Sequence, residues 1–174
     1  DGPSTPFPTE PLNPMSSLRP ILLVEDSPND VELTRAALHD AQLANEIVVA
    51  RDGEEALNYL FRRGPYAGRE GPPPAVVFLD LKTPRVDGRE VLQEIRADPE
   101  LRLQPVVILT SSREEIDLIK TYQLGANAYV VKPVDFEKFA TAVRDLGIFW
   151  AVLNEPPPVT ASSPSHPPIP LPKP

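Results

Sequence analysis

Four apolar runs in this chain end in residues that can do chemistry. Val76-Val77-Phe78-Leu79 stops at Asp80, and Ile21-Leu22-Leu23-Val24 stops at Glu25-Asp26. Val106-Val107-Ile108-Leu109 stops at Thr110-Ser111, and Ala128-Tyr129-Val130-Val131 at Lys132-Pro133. If the runs are strands of one parallel sheet, their carboxyl ends meet at the edge where open α/β sheets hold ligands. Carboxylates, a hydroxyl and an ammonium would then converge. Unpaired carboxylates that close repel and raise each other's pKa, and a divalent cation relieves the repulsion. With oxygen ligands only, Mg²⁺ or Mn²⁺ is the expected ion, keeping several waters. A cation, an ammonium and a hydroxyl around a carboxylate make a receptor for a phosphoryl group, because they neutralise its oxygens during in-line transfer. Glu25, Asp26 and Asp80 are the candidate metal ligands. Asp80, at the end of the central run, is the candidate nucleophile, and Thr110 and Lys132 are the candidate phosphoryl-binding residues.

Composition removes the competing chemistries. The chain has no cysteine, which excludes disulfides and thiolate metal sites. His39 and His166 are far apart in sequence, so neither a histidine zinc site nor a Ser-His-Asp triad is expected. The formal charge is −8 and there is no long basic run, so neither nucleic acid nor an anionic membrane is an expected partner. No apolar stretch reaches the roughly 18 residues that span a bilayer. The amino end lacks a basic start followed by an apolar core, so no secretory signal is visible. These features predict a soluble, acidic, cytoplasmic protein.

The elements that position the site follow from periodicity. Residues 1–17 carry Pro3, Pro6, Pro8, Pro11 and Pro14 and are expected to be disordered or upstream sequence. Met15, the only methionine, is a candidate start that would leave 1–14 upstream of it. Residues 154–174 form a second proline-rich stretch, read as a solvated tail. Between them, 18–153 has the size of a single domain, about 135 residues. Strands are predicted at 20–24, 46–50, 76–80, from 106 and at 127–131. Helices are predicted at 29–41, 54–63, 88–97, 112–123 and 135–152. Ser27 or Asn29 can cap the first helix, and Asp52-Gly53-Glu54 turns into the second. The connection 64–75 is long for a helix-to-strand loop. Right-handed crossovers give an α/β, doubly wound five-stranded parallel sheet of flavodoxin-like order 2-1-3-4-5.

Four motifs carry a resemblance: Leu22-Leu-Val-Glu-Asp26, Phe78-Leu-Asp-Leu-Lys-Thr-Pro-Arg-Val-Asp-Gly88, Leu109-Thr-Ser-Ser112 and Gly125-Ala-Asn-Ala-Tyr-Val-Val-Lys-Pro133. Over about residues 18–153 the chain resembles the receiver domain of a two-component response regulator, with a CheY-like fold. The resemblance implies that Asp80 accepts a phosphoryl group from a histidine kinase. It implies that Asp26, Asp80 and the Lys82 backbone carbonyl ligate Mg²⁺, with Glu25 acting through water. Lys132 and Thr110 would bind the phosphoryl oxygens. Thr110 and Tyr129 would switch the surface built from the fourth helix, the fifth strand and the fifth helix. The Lys132–Pro133 bond is expected to be cis. Lys82 and Ser112 would flank the path of an attacking water and tune the lifetime of the phosphate. Such a protein catalyses only its own phosphorylation and dephosphorylation.

No output domain is visible, so action through another protein, a relay or a dimer is expected. Phe136, Phe139, Val143 and Trp150 share one face of the fifth helix and are predicted core. Ile148, Phe149 and Val152 fall off that face, and a homodimer through them is predicted. Loop 64–75 and the Phe149-Trp150 end resemble stand-alone regulators paired with bacterial phytochrome kinases, which implies a light-sensing histidine kinase as partner. Two rivals have different chemistry. A Mg²⁺-dependent phosphatase of the haloacid dehalogenase type also uses an aspartyl nucleophile, but the acid expected two residues later is Lys82 here. A receiver-like module that binds proteins without phosphorylation would not need the phosphoryl-binding residues that are present.

Overall fold

The structure is a computed structural model and describes residues 18–111, 115–132 and 135–157. Five strands, β1 (Ile21–Val24), β2 (Ile47–Ala50), β3 (Val76–Leu79), β4 (Val106–Thr110) and β5 (Ala128–Val131), pair in parallel in the order 2-1-3-4-5. They alternate with α1 (Pro28–Asp40), α2 (Gly53–Leu60), α3 (Gly88–Ala97), α4 (Glu115–Gln123) and α5 (Phe136–Ile148). The predicted fold stands.

The unbroken apolar runs are explained by burial on both faces. Leu22, Val24, Val77, Leu79, Val106 and Ile108 point into the cluster under α2 and α3. Their alternates, Ile21, Leu23, Val76, Phe78, Val107 and Leu109, point into the cluster under α1 and α5. A strand covered on one face would alternate apolar with polar, whereas one covered on both cannot. Each large side chain sealed in this way contributes about 1.5–3 kcal/mol.

The helix starts are capped as their sequences suggest. Of the two candidates for α1, Ser27 is the cap, accepting the Asp30 N–H. Asp52 caps α2 by accepting Glu55 N–H at 2.8 Å, and Asp87 caps α3 by accepting Arg89 N–H at 2.8 Å. An acceptor at this position satisfies a donor that the helix leaves orphaned.

The long connection after α2 is not featureless. Gly64–Tyr66 forms one 3-10 turn, and the Tyr66 ring meets Tyr59 edge-on at 5.2 Å. The Arg69 guanidinium lies over the Tyr59 ring at 4.3 Å. The prolines that follow donate nothing, but their carbonyls accept. Arg69 Nη1 donates to Pro72 O, Arg19 Nε to Pro73 O, and both Arg19 Nη2 and Gln104 Nε2 to Pro74 O. Arg19 precedes β1 and Gln104 precedes β4, so the loop is tied to the amino-terminal edge of the sheet.

The end of α5 departs from expectation. Phe139 and Val143 are buried and Trp150 packs partly against the same cluster, but Phe136 is 48% exposed. It stands at the first turn, before the helix reaches the sheet, so periodicity alone misplaces it. The regular helix ends at Ile148, and Phe149–Leu153 continues as a π-helical turn, closed by Asn154 N–H donating to Phe149 O. Gly147 does not break the helix. A Cβ there would lie 2.6 Å from Leu38 Cδ2, so glycine permits the close approach of α5 to α1.

Candidate functional site

The sheet ladder runs on into the site residues. Glu25 N–H donates to Ala50 O at 2.9 Å, Asp80 N–H to Val24 O at 3.0 Å, and Lys132 N–H to Thr110 O at 2.7 Å. Each is the residue just past its strand, so the backbone at the site is as fixed as the sheet. The switch-point topology then brings the side chains together.

Glu25, Asp26 and Asp80 each offer a carboxylate oxygen, and these oxygens lie within 4.8 Å of one another. Glu25 and Asp80 are buried and Asp26 is exposed. The Lys132 ammonium donates to Asp80 Oδ2 at 2.8 Å, to Asp30 Oδ2 at 3.0 Å, and to Glu25 Oε2. Asp80 Oδ1 accepts the Lys82 N–H at 3.1 Å, and Glu25 Oε1 the Ser27 N–H at 3.0 Å. Thr110 is fully buried at the end of β4. Tyr129 is half-buried on β5, opposite Ile108, and packs against the cluster under α2 and α3.

Burial alone would lower the pKa of the Lys132 ammonium. Hydrogen bonds to Asp80 and Glu25 outweigh it and hold the group above the ordinary lysine range. Burial pushes the Glu25 carboxyl up, against the opposing pull of Lys132. Among the described residues, Glu25, Asp30 and Asp80 thus share the Lys132 ammonium, and Asp26 adds a further carboxylate beside them. That excess of negative charge, in an all-oxygen donor set, fits a hard divalent cation. Glu25, Asp26 and Asp80 would hold it, and when bound it would neutralise oxygens at the site.

Sequence reasoning places Glu25, Asp26, Asp80, Thr110 and Lys132 at this edge, and the structure does the same. It missed Asp30, which lies in the first turn of α1 and reaches Lys132 from the side. Ser112 and the Lys132–Pro133 bond lie outside the described residues. Ile148, Phe149 and Val152 are remote from this cluster in the fold, at the far end of α5. Phe149 is 45% and Val152 62% exposed, with Ile148 half-buried.

The β3–α3 connection that follows Asp80 is held tightly. Thr83 Oγ1 donates to Val86 O at 2.7 Å, and Gly88 N–H to Leu81 O at 2.9 Å. A Cβ at Gly88 would lie 2.3 Å from Asp80 O, so α3 can begin there only at a glycine.

The sequence profile of the response regulator receiver domain matches residues 21–144. The chain belongs to that family. Among relatives of this receiver domain, response regulator Rcp1 of Synechocystis is 39% identical over 130 residues, covering 75% of this chain and 87% of Rcp1. The bacteriophytochrome response regulator AtBRR is 64% identical, with a TM-score of 0.65, over 79% of this chain and 99% of that one. The phosphorylated cyanobacterial phytochrome response regulator RcpA is 38% identical, with a TM-score of 0.74, over 80% of this chain and 99% of that one. Rcp1 has also been solved in a Mn²⁺-bound form, with a TM-score of 0.74 to this chain. The receiver is thus homologous to phytochrome response regulators, and membership of a receiver family disfavours the phosphatase alternative. Among the described residues no helix is long and apolar enough to cross a membrane.

Proposed function

We propose that this receiver, spanning 18–153, is a stand-alone cytoplasmic response regulator that accepts a phosphoryl group on Asp80 from a histidine kinase. The observation that carries this is the Asp80 carboxylate at the end of β3, held by the Lys82 N–H and the Lys132 ammonium beside two further acids. An Asp80 oxygen attacks the phosphorus of the kinase phosphohistidine. The P–N bond breaks and its electron pair returns to the imidazole. Lys132 and the Thr110 hydroxyl bind the phosphoryl oxygens. Water later attacks the phosphorus of the acyl phosphate, releasing inorganic phosphate and restoring the carboxylate. Lys82, an exposed residue two beyond Asp80, and Ser112 tune that step. The protein catalyses nothing beyond these two reactions.

Asp26, Asp80 and the Lys82 carbonyl are the proposed ligands of Mg²⁺ or Mn²⁺, with Glu25 acting through water; the Mn²⁺-bound Rcp1 supports the choice of ion. Phosphorylation adds charge at Asp80, and Thr110 and Tyr129 shift with it, changing the populations of the α4-β5-α5 surface. That surface carries Ile119, Tyr122 and Phe136, each about half exposed, which suits a partner-binding role. The homology to AtBRR and RcpA supports a phytochrome-type kinase as the donor.

The test is intact-mass analysis after incubation with Mg²⁺ and a small acyl phosphate. One added phosphoryl group is expected in the parent and none in Asp80→Asn. An equal adduct in both would sink the assignment.

A further inference from the structure

The amino end of α2 takes no part in the chemistry above, yet it lies directly against the connection that carries it. A Cβ at Gly53 would sit 2.1 Å from Val86 O and 2.8 Å from Val86 Cβ. Gly53 N–H points at Pro84 O, 3.4 Å away. Arg85 Nη1 pairs with Glu54 Oε2 at 3.0 Å, and Arg85 Nε lies 3.4 Å from Asp52 Oδ2. Three consecutive residues of the α2 turn thus touch three consecutive residues of the β3–α3 connection.

That connection is not relaxed. Arg85 has φ +65°, the left-handed region that a residue with a Cβ avoids. Such a conformation persists only where its surroundings over-determine it. Asp52 and Glu54 hold the Arg85 side chain from one side. Gly88 closes the connection from the other, leaving no room for a Cβ beside Asp80 O. The α2 turn is itself braced: Glu55 Oε2 accepts Arg51 N–H, and Glu55 Oε1 accepts the Tyr66 hydroxyl at 2.9 Å.

We propose that Asp52, Gly53 and Glu54 form a clamp that, through Arg85 and Val86, positions the Asp80–Lys82 backbone for the metal. Gly53 and Arg85 are positioning residues that touch neither metal nor phosphoryl group. This rests on the reading of Glu25, Asp26, Asp80 and the Lys82 carbonyl as the metal site. Released from the clamp, the connection relaxes away from the left-handed turn and the Lys82 carbonyl loses its fixed direction.

The experiment titrates the full chain with Mn²⁺ alone, by calorimetry or by the electron paramagnetic resonance of the free ion. Parent, Arg85→Ala, Arg85→Lys, Gly53→Ala and Asp26→Asn are compared. Arg85→Ala is expected to weaken Mn²⁺ binding by about threefold to fivefold, the most that exposed ion pairs acting through the backbone can pass to the site. Its metal-free unfolding midpoint should stay near the parent's, because exposed ion pairs add little stability. Arg85→Lys should recover part of the affinity, and Gly53→Ala, where folded, should match Arg85→Ala. Parent-like affinity in Arg85→Ala, with binding lost in Asp26→Asn, would overturn the clamp and leave the site standing. Parent-like affinity in Asp26→Asn would remove the metal site, and the clamp with it.

Discussion

At the scale of residues, the site is a charge problem in which, among the described residues, Lys132 is the cation that pairs with the acids. Lys132 serves Asp80, Glu25 and Asp30, while no ion pair of Asp26 occurs among the described residues. Asp26 therefore adds repulsion to the metal-free protein and gives nothing back. Asp26→Asn should stabilise the metal-free protein by on the order of 1 kcal/mol, the size of one such repulsion near water. It should also abolish the stabilisation expected from Mg²⁺ at the proposed site, about 1.4 kcal/mol at tenfold excess over the dissociation constant. Urea denaturation with and without MgCl₂ reads both effects, and a less stable metal-free variant would contradict the argument. The edge was legible in the sequence because the acids, the threonine and the lysine each follow an apolar run. A strand end fixes where its next residue must lie. Asp30 was not legible, because it sits in a turn that enters a helix. The direction of its side chain depends on how Ser27 caps that helix, and either Ser27 or Asn29 fitted the sequence.

At the scale of elements, the parallel sheet could be read from runs too apolar for a one-sided strand. What could not be read was contact between elements. Phe136 has the spacing of a core residue and is exposed, since a helical face says nothing about where along its length the sheet begins. Gly147 has the look of a helix stop and is instead a point of close approach between α5 and α1. Gly147→Ala sets two effects against each other. Alanine favours the helix by about 1 kcal/mol over glycine, whereas overpacking a filled interface costs about 1–3 kcal/mol. Leu38 is 1% exposed and has little room to turn, so overpacking should win. A net loss of about 1 kcal/mol is expected in urea titration. A gain would mean that Leu38 and Leu43 repack freely. The Asp52-Gly53-Glu54 turn was also visible as a helix start, but its grip on Arg85 joins residues 31 apart in the chain for Glu54.

At the scale of the whole molecule, Phe149, Val152 and Leu153 leave an apolar surface on the π-helical turn, each 45% exposed or more. The proposed homodimer would cover it, with Ile148 at its inner margin. Sedimentation velocity over a range of concentrations should show a dimer in the parent. Phe149→Glu with Val152→Glu should give a monomer of unchanged circular dichroism. A monomer in the parent, with and without phosphorylation, would exclude the interface. The ladder at the opposite edge has a further consequence. Because the N–H groups of Glu25, Asp80 and Lys132 are already bonded to the neighbouring strands, the backbone degrees of freedom nearest Asp80 are fixed before any phosphoryl group arrives. A one-residue slip would turn every buried side chain to the wrong face, so the strands cannot relay a signal by sliding. What remains adjustable is the set of side-chain rotamers and the dihedral angles of the connections beyond that last rung. The sheet is the reference frame against which those small displacements become readable to a partner.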